Sequence, residues 1–75
     1  MAAVYMERSD DTLNLARFHQ VEIQPTLFGN WAVISSWGRI RTYGRIRQDW
    51  FSSLSEAQTA QAQRIERKLG RGYAQ

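Results

Sequence analysis

Trp31-Ala32-Val33-Ile34-Ser35-Ser36-Trp37-Gly38-Arg39-Ile40-Arg41-Thr42-Tyr43-Gly44-Arg45-Ile46-Arg47-Gln48 is the stretch on which the fold turns. Aromatic and β-branched residues favour strands, so residues 31–37 read as one strand and residues 43–48 as the next. Thr42-Tyr43-Gly44 reads as the turn between them, with glycine where a positive φ is expected. With residues 42–44 as the loop, Arg41 faces Arg45, Ile40 faces Ile46 and Arg39 faces Arg47. Both isoleucines then lie on one face of the hairpin and all four arginines on the other. Like charges directly opposite one another cost a ladder roughly 0.2–1 kcal/mol per pair. Phosphates on an anionic partner would remove that repulsion, which makes Arg39, Arg41, Arg45 and Arg47 candidate nucleic-acid contacts. The plainer reading is a solvated face with its long side chains splayed into water.

Upstream of the hairpin, residues 4–8 read as a first strand, ended by Ser9-Asp10-Asp11-Thr12. Residues 17–24 alternate, with His19, Val21 and Ile23 on one face and Gln20, Glu22 and Gln24 on the other. Pro25 stops that strand, since it lacks a ladder donor. Leu27 and Phe28 are expected to tuck under as a plug, and Gly29-Asn30 to turn the chain.

Downstream, the period changes. Ser53-Leu54-Ser55-Glu56 fits a capping box, the serine oxygen serving an orphan amide and Glu56 reaching back. Leu54, Ala57, Gln61, Ile65 and Leu69 recur at helical spacing, which predicts a helix over residues 54–69. Arg64, Arg67 and Lys68 fall in its last turns, where cations suit the dipole, and Gly70 follows. Arg64, Arg67, Lys68 and Arg71 are first a solvated helix end and second an extension of a basic patch. The expected fold is α+β: a four-stranded antiparallel meander with one amphipathic helix on it, and the C-terminal segment as a candidate fifth strand.

Composition agrees with a single domain over residues 1–75, near the size at which one core is marginally stable. Hydrophobic residues make up 43% of the chain, against disorder. There is no cysteine and His19 is the only histidine, so neither a disulfide framework, thiolate ligation nor a multi-histidine metal site is expected. The N-terminal residues lack the basic start and long apolar run of a signal peptide, no apolar run is long enough to span a bilayer, and a cytoplasmic protein is expected. Charge is uneven. Arg8 and Arg17 against Glu7, Asp10, Asp11 and Glu22 leave residues 1–30 at −2, while eight basic residues against Asp49, Glu56 and Glu66 leave residues 31–75 at +5, giving the whole chain +3. Nucleic acid or an acidic protein would suit the basic half.

No catalytic constellation is visible, and no cofactor is expected. Ser35-Ser36 and Ser52-Ser53 have no base near them, and the acids form no spaced pair. Gly29, Gly38 and Gly44 fit no phosphate-loop pattern.

Together these residues carry a resemblance. Trp37-Gly38-Arg39, then Ile40 and Gly44, resembles the signature of the WGR domain family. Arg17-Phe18-His19 is similar to the Arg-Phe-Tyr opening of that family's second strand, with His19 in place of the usual tyrosine. Pro25 through Trp31 resembles the Leu-Phe-Gly loop of small bacterial members, Ser53-Leu54-Ser55-Glu56-Ala57 its helix start, and Lys68 through Arg71-Gly72-Tyr73 its basic Gly-Tyr ending. The likeness runs from Val4 to Tyr73 in the family's order.

The resemblance implies an antiparallel sheet with a packed helix. In poly(ADP-ribose) polymerases this domain helps detect DNA breaks: the motif tryptophan packs near a terminal sugar, basic residues approach a 5′ phosphate, and the motif arginine also contacts neighbouring domains. By motif position this implies Trp37 and Arg39, with Arg17 as a phosphate contact. A tryptophan supplies a rigid stacking surface and a guanidinium a bidentate phosphate fork. Arg41 stands where the family often has glycine, Tyr43 where it has a basic residue, and Ala16 where the eukaryotic enzymes have a polar one. Seventy-five residues are too few to hold a transferase region as well, so neither that activity nor NAD binding is implied. A DNA-binding module is expected, with a protein-docking module as the alternative and a monomer favoured. Trp37 reads as either a stacking surface or a sheet residue, Trp31 and Trp50 as core, Arg39 as free or paired with Asp49 or Glu22, and His19 as a partly buried strand residue.

Overall fold

The computed structural model describes residues 3–75, as four strands in the order β1-β2-β3-β4 and one helix. The strands are β1 (Ala3–Asp10), β2 (Leu15–Pro25), β3 (Trp31–Arg39) and β4 (Arg45–Phe51), all paired antiparallel. Helix α1 (Leu54–Leu69) has the boundaries its periodicity predicts. The C-terminal segment adds a single bridge to the outer edge of β1, with Glu7 and Ala74 exchanging backbone hydrogen bonds of 2.9 Å, and not a full fifth strand.

The alternation of β2 sets the layers. His19, Val21 and Ile23 face α1, and the register brings Trp37, Ser35 and Val33 of β3 onto the same face. Val21, Ile23, Val33 and Ala57 form the buried centre, with Trp31, Phe51, Leu54, Ala60 and Ile65 packed around it. Gln61 reaches into this layer and donates from Nε2 to the Val21 carbonyl at 3.0 Å, which pins helix to sheet. The opposite sheet face has no helix on it.

Several local expectations are corrected. The β1–β2 connection is a short 3₁₀ turn (Asp11–Leu13) held by the Asp10 carboxylate, which accepts from the Thr12 amide. The β3–β4 loop spans residues 40–44 rather than three residues, because the Ile40 amide donates to the Ala16 carbonyl at 2.9 Å and so carries β3 on alongside β2. Trp37 therefore faces Arg45, Ser36 faces Ile46 and Ser35 faces Arg47, and no arginine stands opposite another across β3–β4. Arg39, Arg45 and Arg47 do share the helix-side face, with Ile46 on the other, as alternation required. Arg41 lies in the loop.

Leu27 and Phe28 are not a plug. They are 99% and 93% exposed, because the Thr26 amide closes the turn on the Asn30 carbonyl and leaves the tip beyond the last strand pair. Trp50 is 61% exposed, since Asp49 and Phe51 take the helix-side positions of β4. Trp31 does pack on the core. Ser53 caps α1 by accepting from the Glu56 amide at 3.1 Å, but the Glu56 carboxylate accepts from the Ser52 hydroxyl at 3.1 Å instead of reaching back to residue 53. Gly70 stays right-handed at φ −65°. The left-handed residue that turns the chain off the helix is Gly72, at φ 93°.

Candidate functional site

The tripeptide Trp37-Gly38-Arg39 closes β3, and its glycine is dictated by the loop that follows. A Cβ on Gly38 would stand 2.7 Å from the Gly44 Cα, and one on Gly44 would stand 2.2 Å from the Trp37 carbonyl oxygen. The two backbones meet with no room for side chains between them. Residues 39–42 form a turn in which the Thr42 amide and hydroxyl both donate to the Arg39 carbonyl, at 3.1 and 2.7 Å. Its third residue is Arg41 at φ 76°, a position that ordinarily favours glycine.

Alternation places Trp37 and Arg39 on the helix-side face, past the end of the apolar core, where half-buried Trp37 separates two clefts. One is lined by Arg17, Arg39, Lys68, Tyr73 and Trp37, together with residues 13–16 and Gly38. The other, of about 240 Å³, is lined by His19, Ser35, Trp37 and Arg47 with Arg64, Arg67, Lys68 and Arg71. Neither lining contains an acid.

Of the residues singled out in the sequence, Arg17, Trp37 and Arg39 thus come together, and Arg47 joins Trp37 in the second cleft. Arg41 and Arg45 are exposed on the hairpin and line neither. The helix-end cations and Tyr73 belong to the site as much as the hairpin does. Their signal was the spacing of Arg64, Arg67 and Lys68, which at i, i+3 and i+4 fall on one helix face, with Arg71 in the turn just past its end.

One acid organises part of this charge. Asp49 accepts from Arg64 at 2.5 Å and pairs with Arg47 at 3.1 Å, while Arg64 also donates to the Ser35 hydroxyl at 2.9 Å. The hydrogen bond from Arg64, then the charge of Arg47, hold the Asp49 carboxyl below its ordinary value. Arg39 pairs with neither Asp49 nor Glu22. Among the described residues Arg17, Arg39, Arg41, Arg45, Arg67 and Arg71 have no acidic partner. Burial, then the positive charges of Arg71 and Arg17, pull the Lys68 ammonium below its usual value, as expected where cations crowd without compensation. Its Nζ sits 5.3 Å from the Tyr73 ring centre.

Beneath these cations lies His19, stacked on Trp37 at 6.2 Å and edge-on to Tyr73 at 6.4 Å. At 6% exposure it is more deeply buried than a partly covered strand residue. Desolvation, then the charges of Lys68 and Arg64, lower its pKa to about 4, so at neutral pH the ring is uncharged. Neither ring nitrogen has a hydrogen-bond partner among the described residues.

Among the described residues no group of three or more His, Asp or Glu side chains is placed to hold a metal ion, and no helix is long and apolar enough to cross a membrane. No curated protein and no solved structure matches the chain significantly. The family model described as the WGR domain matches residues 2–75, essentially the whole chain. With Trp37-Gly38-Arg39 at the end of the third strand, two glycine backbones in contact behind it and a helix over the sheet, the chain belongs to the WGR domain family.

Proposed function

We propose that the protein is a non-catalytic nucleic-acid-binding module that grips the backbone of duplex DNA, or a DNA end, with the face on which Trp37 stands between two cationic clefts. The observation that carries this reading is the absence of any acid from either cleft lining, beside seven cationic residues from three strands and the end of the helix with the turn after it. A phosphate backbone compensates such a face, and a half-buried tryptophan offers a rigid wall for a sugar or base. Arg17 and Arg39 are the phosphate contacts of the larger cleft, and Lys68 stands where the two clefts meet. Arg41 and Arg45 extend the grip along the hairpin, and Arg47 marks its inner edge. Arg41 keeps a left-handed backbone that glycine would hold at lower cost, and strain of this kind collects at functional positions.

The test is fluorescence anisotropy with labelled duplexes at several salt concentrations. A 5′-phosphorylated blunt duplex is compared with the same duplex closed by hairpin loops. Binding should weaken steeply with salt, and Arg17→Gln plus Arg39→Gln should flatten the slope by about one per lost phosphate contact. Preference for the open duplex identifies end recognition, and equal binding identifies a general backbone grip. No salt-sensitive binding to either duplex sinks the reading. Arg41→Glu with Arg45→Glu tests the hairpin separately: unchanged binding by the folded variant removes both residues from the interface.

A second reading, docking on a partner protein, is favoured by the open sheet face. Tyr5, Ile46 and Trp50 are exposed there, with Leu27 and Phe28 exposed at the β2–β3 turn. Its test is a stoichiometric protein captured after nuclease treatment and lost on Trp50→Ser. Loss of every captured protein to nuclease rejects it.

A further inference from the structure

The smaller cleft has a feature that its neighbour lacks. Arg64, Arg67 and Lys68 of α1, with Arg71 of the turn that follows it, form one side, Arg47 of β4 stands on the other, and His19 and Ser35 contribute from the sheet. Asp49 occupies Arg47 and Arg64, which leaves Arg67, Lys68 and Arg71 without an acidic partner among the described residues. His19 is more than nine-tenths buried in the same lining, and neither of its nitrogens is hydrogen-bonded among the described residues. A neutral imidazole has one N–H to give and one lone pair to receive with. Buried polar groups are nearly always partnered, so an orphaned pair beneath uncompensated cations is the kind of exception that a ligand explains.

We infer that this cleft is a seat for a phosphate group, separate from the cleft that holds Arg17 and Arg39, with Arg67, Lys68 and Arg71 as its cations and the His19 imidazole as the donor at its floor. A phosphate monoester presents three strong acceptor oxygens and close to two negative charges, enough to engage the three free cations and an N–H together. A carboxylate has two oxygens and one charge, and would leave part of the set unmet. The volume of about 240 Å³ lies below the range of roughly 300–1,000 Å³ typical of drug-sized ligands, and suits a single phosphate group with little attached. The phosphate can come from a nucleic acid, in which case the seat rests on the function proposed above, or from a free phosphate ester.

Because His19 is the only histidine, long-range ¹⁵N–¹H NMR of its ring reports this site alone. Inorganic phosphate is titrated at constant ionic strength against chloride, and in a second arm the 5′-phosphorylated duplex is titrated. The expected result is a saturable shift of the His19 ring signals with phosphate and none with chloride. Arg67→Gln with Arg71→Gln, both at exposed positions, should weaken phosphate binding at least about tenfold, the scale of a lost hydrogen bond to a charged group. Arg39→Gln, in the other cleft, should leave it unchanged. His19→Phe, which keeps an aromatic ring and removes the donor, should weaken phosphate binding similarly when binding is followed by titration calorimetry, if the variant folds; the arginine pair serves as the test if it does not.

Absence of a saturable phosphate effect, or an arginine pair variant that binds as the unaltered protein does, overturns the seat even where the duplex still binds. Phosphate binding together with duplex binding that moves the His19 signals supports the seat, with nucleic acid as the source. Phosphate binding without any duplex binding supports it with a free ester as ligand, and then it is the function proposed above that fails.

Discussion

A methyl group on Gly44 would lie 2.2 Å from the Trp37 carbonyl oxygen, and φ there is already 68°. Gly44→Ala should cost on the order of 2–4 kcal/mol, combining a left-handed penalty with overpacking, and should lower the urea midpoint accordingly. Arg41 predicts the opposite sign. Glycine at φ 76° relieves about 1–2 kcal/mol of backbone strain but returns part of it as entropy of the unfolded chain. Arg41→Gly should therefore stabilise by about 0.5–1 kcal/mol, a few degrees in melting temperature, while weakening any duplex binding. His19 makes a prediction in pH. Its folded pKa, about 4, lies below the ordinary 6.5, so between these values the unfolded chain binds the proton more readily. Stability from the neutral ring is complete above about pH 6.5 and is lost as pH falls toward 4, by on the order of 2–3 kcal/mol. Chemical denaturation across that window should show the slope, and His19→Phe should flatten it. Asp49 is also depressed, but its contribution fades only as pH falls below the ordinary carboxylate range, so the two windows separate.

The helix is where local sequence speaks most clearly. Its cap, apolar period and basic last turn are each set by residues within a few positions, and predicted bounds and observed bounds coincide. Ser53→Ala should cost about 1 kcal/mol by releasing the Glu56 amide, measurable in the same denaturation experiment. The hairpin was legible only in part. Alternation put Arg39, Arg45 and Arg47 on one face correctly, because a period of two is a property of any extended strand. Register was not legible, because a hydrogen bond from Ile40 to Ala16, 24 positions upstream, lengthens β3 and with it the loop. The same limit applies to the tryptophans of β3 and β4. Trp31 and Trp50 look alike in sequence, yet one faces α1 and the other faces away.

For the molecule as a whole, charge is the property that links fold to function. Asp49 restrains two of the five cations around the smaller cleft. Asp49→Asn should free both guanidiniums, tighten nucleic-acid binding and steepen its salt slope by up to about two phosphate equivalents, at some loss of stability from the helix–sheet contact. A variant whose salt slope is unchanged would place Arg47 and Arg64 outside the interface.

The sequence by itself determined the α+β class, the helix, the family motif and the basic half of the chain, because periodicity, capping and charge are carried by neighbouring residues. Only the tertiary structure decided that β2, β3, the helix end and the C-terminal tail converge around Trp37 as two clefts, and that His19 lies unpartnered beneath one of them. Those contacts join residues far apart in the chain. Their partners are set by strand register and by the face that α1 covers, neither of which any single segment encodes.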